Sequence, residues 1–202
     1  MMKQRRIKRA LVICPLSIMD SAWREDLFSF AMHRKVDIAH GSAKKRTAVI
    51  EGDAEFVIIN YDGVAIVSDA IANGGFDLVI VDEATHYKNA QTDRWKTLNR
   101  LLGPDKWLWM MTGTPAAQSP LDAYGLAKLV NPKAVPRFFG SFRDQVMVKV
   151  TNFKWVPKPN ATETVFSALQ PAIRFTKEEC LDLPDIIYTT REVPLTRQQD
   201  KY

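Results

Sequence analysis

The sequence predicts an α/β domain built on a mostly parallel β-sheet with helices packed on both faces. Three observations carry this. Five apolar runs recur at 10–14, 36–39, 56–59, 78–81 and 107–111. Most are continuous rather than alternating, as strands buried on both faces require. The stretches between them carry helical periodicity, and successive runs end in short polar turns, the arrangement that collects ligands at the carboxyl edge of an open sheet.

Taken in order, run 10–14 is the first strand, and Cys14-Pro15-Leu16-Ser17 turns out of it. Ser17 with Asp20 predicts a helix start, after which Trp23, Leu27, Phe30 and Ala31 fall on one helical face. Run 56–59 delivers Asn60-Tyr61-Asp62, where packing is the plain reading of Tyr61 alone. Run 78–81 delivers Asp82-Glu83. Trp95, Leu98, Leu101 and Leu102 share the face of a second helix, which Gly103-Pro104 stops. Run 107–111 then leads into Thr112-Gly113-Thr114-Pro115, where Gly113 permits close backbone approach and Pro115 enters the next helix.

Beyond Pro132 the pattern changes, with many prolines and the aromatics Phe138, Phe139, Phe142, Phe153 and Trp155. The expected organisation is a core at 1–132 and a satellite at 133–202. The satellite should hold a short helix at 162–169, a returning strand at 186–193 and the first turn of a helix at 199–202.

At 202 residues, 46% hydrophobic and 25% charged, the composition suits a globular domain with a sizeable core. A net charge of +5 permits contact with an anionic polymer without requiring it. The basic opening segment precedes an apolar stretch too short for a signal-peptide core or a membrane span. Cys14 and Cys180 lack metal-type spacing, which points to a reducing compartment, cytoplasmic or nuclear rather than secreted. His33, His40 and His86 share no ligand spacing.

The chemistry concentrates on Asp82-Glu83. Two adjacent carboxylates at the end of a buried strand suit phosphoryl transfer, Asp82 holding Mg²⁺ and Glu83 orienting the attacking water. Acids at a helix start are the structural alternative. Thr112 and Thr114 add hydroxyls that can sense a γ-phosphate or bond the acidic turn. No stretch fits G-x-x-x-x-G-K-[ST], the loop that cradles phosphates; segment 41–47 comes nearest, with one glycine and the wrong spacing.

In this order the stations resemble the first motor domain of the Swi/Snf-like DNA-dependent ATPases of helicase superfamily two. Leu11-Val12-Ile13-Cys14-Pro15-Leu16-Ser17 with Trp23, His40-Gly41-Ser42 leading to Arg46, and Asn60-Tyr61 resemble its early motifs. Asp82-Glu83-Ala84 with Lys88-Asn89 is similar to its acidic box, and Met111-Thr112-Gly113-Thr114-Pro115 to its threonine-glycine segment. Arg174, Lys177, Leu183-Pro184 and the stretch from Leu195 to Tyr202 resemble the approach to the interdomain linker. Thr85 stands at the family's usual histidine position, with His86 one place further on.

The resemblance implies a RecA-like fold and an incomplete first motor domain, since only thirteen residues precede Cys14. It also implies ATP and Mg²⁺ as cofactors, with Asp82, Glu83, Thr112, Gly113 and Thr114 in the catalytic machinery. Double-stranded DNA is the implied partner, tracked through Ser17, Asn60, Tyr61 and Lys88. A phosphate-loop segment and a second motor domain would complete the enzyme, and the chain alone is expected to be inactive. The alternatives are another superfamily-two helicase or restriction translocase, and a non-catalytic domain that binds DNA or protein.

Overall fold

The computed structural model describes Met2, residues 6–175, Glu179 and Thr189. Residues to Gln170 make one compact unit and those from Pro171 a second. The predicted strand at 186–193, the helix start at 199–202, and Lys177 and Leu183-Pro184 lie outside the described residues, Thr189 apart.

Five parallel strands form the sheet: β1 (Ala10–Cys14), β2 (Val36–Ile38), β3 (Phe56–Asn60), β4 (Leu78–Val81) and β5 (Trp107–Met110), in the order β2-β3-β1-β4-β5. Each apolar run becomes a strand with its ends shifted by no more than one residue. Registers pair Ile13 with Val81, Cys14 with Asn60, and Val81 with Met110, so four strand ends arrive at one carboxyl edge.

Continuous apolar runs arise because both faces are covered. Leu11, Ile13, Val57, Ile59, Val79 and Val81 face one core. Over it pack Ile50 of α2 (Ala43–Glu51), Val64 of α3 (Tyr61–Ile66), Ile71 of α4 (Ser68–Asn73), Trp95 and Leu98 of α5 (Asp93–Leu101), and Leu126 of α6 (Ala123–Val130). The alternate residues, Ala10, Val12, Cys14, Ile58, Leu78 and Ile80, face a smaller core closed by Ile7, Met19, Trp23 and Leu27.

The segment that closes this smaller core departs from the predicted helix. Pro15 caps a 3₁₀ turn, Leu16–Ile18, and Ser17 sits inside it, capping nothing through its side chain. A π-helix, Met19–Arg24, follows before α1, Glu25–Ala31. The wider π turn rotates the helical faces relative to a regular 3.6-residue period. Trp23 and Leu27 pack on the sheet, and Phe30, nearly one turn further along α1, is 88% exposed.

Arg9, read in sequence as part of a basic segment, instead ties the amino edge together. Its guanidinium donates to the carbonyls of Ala54, Gly74 and Gly52 at 2.5–3.0 Å and stacks on Phe76. Past the sheet, α7 (Phe139–Val146), the antiparallel pair β6 (Met147–Lys149) and β7 (Trp155–Pro157), and α8 (Ala161–Ala168) pack around a separate cluster. Phe142, Val146 and Val165 meet Tyr124 and Ala127 of α6 there. Helix α8 falls where the sequence places it. The hairpin does not announce itself, because its two strands have three residues each.

Candidate active site

The acidic turn follows from where β4 stops. The Asp82 amide still donates to Ile13 O at 2.9 Å, continuing the ladder, but the chain then turns sharply. Glu83 adopts φ 44° and ψ 55°, the left-handed region, and is the sole non-glycine residue at positive φ among those described. Such a backbone costs about 1–3 kcal/mol and persists where surroundings enforce it. Here the Glu83 amide donates to Asp82 Oδ1 at 2.9 Å, and the Ala84 amide donates to Met111 O at 2.8 Å. A 3₁₀ turn, Ala84–Tyr87, then leads away.

That last bond joins the two motifs. Thr112 follows directly on Met111, so the acidic turn and the threonine turn are adjacent and connected through backbone. Their side chains are not linked: Thr112 Oγ1 accepts from the Thr114 amide at 3.3 Å and closes its own turn. A Cβ placed on Gly113 would meet nothing within 4 Å, so close packing does not require the glycine there. Pro115 begins a turn, and Pro120 is the proline at the start of the following 3₁₀ helix.

Asp82 is half-buried, and its second oxygen accepts from Trp23 Nε1 at 2.9 Å. A cleft of about 400 Å³ opens beside it, lined by Trp23, Asp26, Leu27, Phe30 and Met111. The sequence offers Trp23 on an apolar helical face and within an early family-like motif, but not as a partner of Asp82. Glu83 is exposed. The donor set fits a magnesium-nucleotide better than a free cation, because Mg²⁺ is held by one or two carboxylates plus substrate phosphates. Among the described residues no three acidic, histidine or cysteine side chains converge on a point.

The residues predicted to meet DNA divide. Ser17 is exposed at the end of β1. Lys88 is partly exposed and pairs with Asp122 at 3.3 Å. Asn60 gives its side-chain oxygen to Arg46 at 2.8 Å. Arg46 is itself buried, donating also to Gly41 O and Ala39 O, and leaves room only for a glycine at position 63.

Tyr61 does not fit the role predicted for it. It is 8% exposed, and its phenol donates to Asp82 O at 2.6 Å, so neither ring nor hydroxyl is offered to a nucleic acid. Burial first, then the neighbouring Asp82 charge, pushes the phenol well above its ordinary range and keeps it a donor. The opposite shoulder of the turn is fixed by Gly125, whose amide donates to Lys88 O and where a Cβ would lie 2.2 Å from that oxygen. Trp95 Nε1 donates to Gly125 O at 2.8 Å.

A parallel sheet covered on both faces, with an acidic turn and a threonine turn joined at its carboxyl edge, is an α/β domain of RecA-like architecture. Comparison with known proteins makes the assignment particular: the SNF2-related domain model matches residues 1–202, and the chain belongs to that family. An uncharacterized ATP-dependent helicase of Mycoplasma genitalium is 26% identical over 198 residues, covering 95% of this chain and 18% of the relative. A Xenopus laevis SWI/SNF-related matrix-associated actin-dependent regulator of chromatin, subfamily A-like protein 1, is 35% identical over 81 residues, 40% of this chain and 8% of its own length.

In structure, the chain is similar to the Sulfolobus solfataricus SWI2/SNF2 ATPase core solved in complex with dsDNA. The TM-score is 0.70 at 23% identity, covering 91% of this chain and 37% of that one. The Sulfolobus core domain gives 0.60 at 22% identity, with 91% and 36% covered. The chain thus spans well under half the length of each of these relatives.

Proposed function

We propose that this chain supplies the metal-binding and water-activating half of a DNA-dependent ATPase that couples ATP hydrolysis to movement along double-stranded DNA. The observation that carries this reading is the adjacency of Asp82-Glu83 to Thr112 across the Ala84–Met111 hydrogen bond. Asp82 is the residue to hold Mg²⁺, and Glu83, exposed at the turn, is the residue to orient and deprotonate a water. Bound Mg²⁺ would neutralise charge developing on the transferred phosphate. Asp82 Oδ2 accepts from the Trp23 indole with one lone pair, which leaves the other free for the metal. Thr112 and Thr114 are the candidates to sense a γ-phosphate. Ser17 and Lys88 are the candidates for DNA backbone contact, with Asn60 limited to its side-chain nitrogen.

The phosphate cradle has to come from elsewhere, because the sequence holds no G-x-x-x-x-G-K-[ST]. Three missing charge-assisted bonds at about 1.5–3 kcal/mol each leave a deficit of at least about 4 kcal/mol, roughly a thousandfold in affinity. The 202-residue chain alone should therefore bind ATP hardly at all, and micromolar binding by calorimetry would count against this reading. In a form of the protein that includes a phosphate loop and a second motor domain, duplex DNA should stimulate hydrolysis. Glu83→Gln should then lower turnover about 10²–10⁴-fold while leaving nucleotide binding intact.

A second reading, a non-catalytic DNA- or protein-binding domain, draws on one observation. Both carboxylate oxygens of Asp82 already accept hydrogen bonds from within the fold. Wild-type turnover in the extended protein that is indifferent to Glu83→Gln would favour it.

A further inference from the structure

Sequence places Tyr61 and Asp82 twenty-one positions apart, each just past the end of a different strand. The fold brings them into contact at one atom, the carbonyl oxygen of Asp82. That oxygen belongs to the peptide joining Asp82 to Glu83. Because β4 ends at Val81, this carbonyl makes no ladder bond, and the phenol of Tyr61 satisfies it at 2.6 Å instead. The peptide plane is then held from both sides, its oxygen by Tyr61 and its N–H by Asp82 Oδ1 at 2.9 Å. A fixed peptide plane ahead of Glu83 is what maintains its left-handed φ of 44°, and φ decides the direction in which the Glu83 side chain leaves the backbone.

Tyr61 is in turn held rigidly. Its ring lies 4.5 Å from that of His86 and 6.0 Å, edge-on, from that of Tyr87. The Arg94 guanidinium sits 5.3 Å from the ring centroid on its way to Asp62, 2.7 Å distant, and approaches His86 Nδ1 at 3.4 Å. A contact that only filled space would need the ring; a contact that sets a peptide needs the hydroxyl. The hydroxyl is the part that reaches the acidic turn.

We propose that Tyr61 is a positioning residue that aims the Glu83 carboxylate by holding the Asp82–Glu83 peptide. The proposal rests on the reading of Glu83 as the general base. It assigns to Tyr61 a role in chemistry rather than in DNA contact, and it gives the displaced histidine, His86, the task of bracing that tyrosine.

Tyr61→Phe keeps the ring and its packing and removes only the bond. In the 202-residue chain, amide hydrogen exchange by NMR should quicken about tenfold or more at Glu83 and Ala84 while Val79, Ile80 and Val81 keep wild-type protection. In the ATPase-competent extended protein the same change should lower kcat roughly ten- to hundredfold, with KM for ATP and the thermal midpoint held near wild type. Unaltered exchange at Glu83 and Ala84 would overturn the proposal, as would a loosened turn with unchanged kcat. His86→Ala, which spares the hydroxyl, should give the same pattern in weaker form; a larger loss than Tyr61→Phe would also overturn it. Wild-type protein that hydrolyses no ATP with duplex DNA would instead defeat the functional reading, and the exchange data would still decide whether Tyr61 holds the peptide.

Discussion

Strands β4 and β5 lie side by side in one register, are equally apolar, and end in the two halves of the candidate site, yet they live in different surroundings. All four residues of β4 are buried. In β5, Trp107 and Trp109 remain 49% and 45% exposed. They are paired with Leu78 and Ile80, so they share the sheet face closed by Trp23 and Leu27, but that cover does not extend over them. Their neighbours Leu108 and Met110 pack on the opposite, thicker face. β5 is also a terminal strand of the sheet as described.

The contrast continues past the strand ends. The acidic turn is held by the Asp82, Glu83 and Ala84 amides and by the Tyr61 phenol. The described bonds within the threonine turn reduce to Thr114 N with Thr112 Oγ1. Half of the site is therefore preorganised and half is set on an edge that a neighbouring element can still shape.

The largest effect expected from this comparison is a difference between cross-strand partners. Ile80→Ala should cost about 3 kcal/mol by urea denaturation, since it empties a buried site, whereas Trp109→Ala should cost about 1 kcal/mol despite removing more atoms. Equal losses would mean that β5 is as well covered as β4. Next in size is Gly125→Ala, which forces a methyl against the Lys88 carbonyl and should destabilise by about 2–3 kcal/mol, seen as a lowered thermal midpoint. A neutral result would show that the acidic shoulder can yield as freely as the threonine turn.

Cys14, fully buried at the end of β1 beside β4, sharpens the contrast through pH. Burial, then the charge of Asp82, raises its thiol from an ordinary value of 9.0 to about 12. Between those values the unfolded chain loses this proton and the folded one retains it, so the unfolded state binds fewer protons and stability falls as pH rises. Below that window the group has no effect. Denaturation midpoints from pH 8 to 10.5 should fall less steeply in Cys14→Ala than in wild type, and parallel slopes would contradict the burial. The smallest effect belongs to Tyr87, fully buried with a hydroxyl that finds no partner among the described residues. Tyr87→Phe should be neutral or stabilising by up to about 1 kcal/mol, and a clear loss would reveal a partner for that hydroxyl.

The strands were legible because a run such as Leu-Val-Ile-Cys can hardly be placed except between two covered faces. Polar residues at the run ends mapped onto the carboxyl edge for the same reason, once all five strands proved parallel. Elsewhere local patterns were insufficient. Nothing in Met19–Arg24 signals a π turn, and nothing in the apolar period shows that Phe30, which shares a cleft with Trp23 and Leu27, stays 88% exposed. Ser17 has the chemistry of a cap but follows a proline that took the position. Tyr61 alone reads as packing and the family resemblance makes it a nucleic-acid contact, but neither reading says what its hydroxyl reaches.

By itself, then, the sequence determined the element types, the parallel sheet, and the delivery of Asp82, Glu83 and Thr112 to strand ends. These follow from hydrophobic pattern and chain direction, which are local and periodic. Only the tertiary structure decided that Tyr61 and Trp23 grip the acidic turn, that Gly125 must be a glycine, and that β5 is left half covered. Those outcomes depend on contacts between residues far apart in sequence, where a single hydrogen bond or a few tenths of an ångström of clearance selects among side chains that local pattern treats alike.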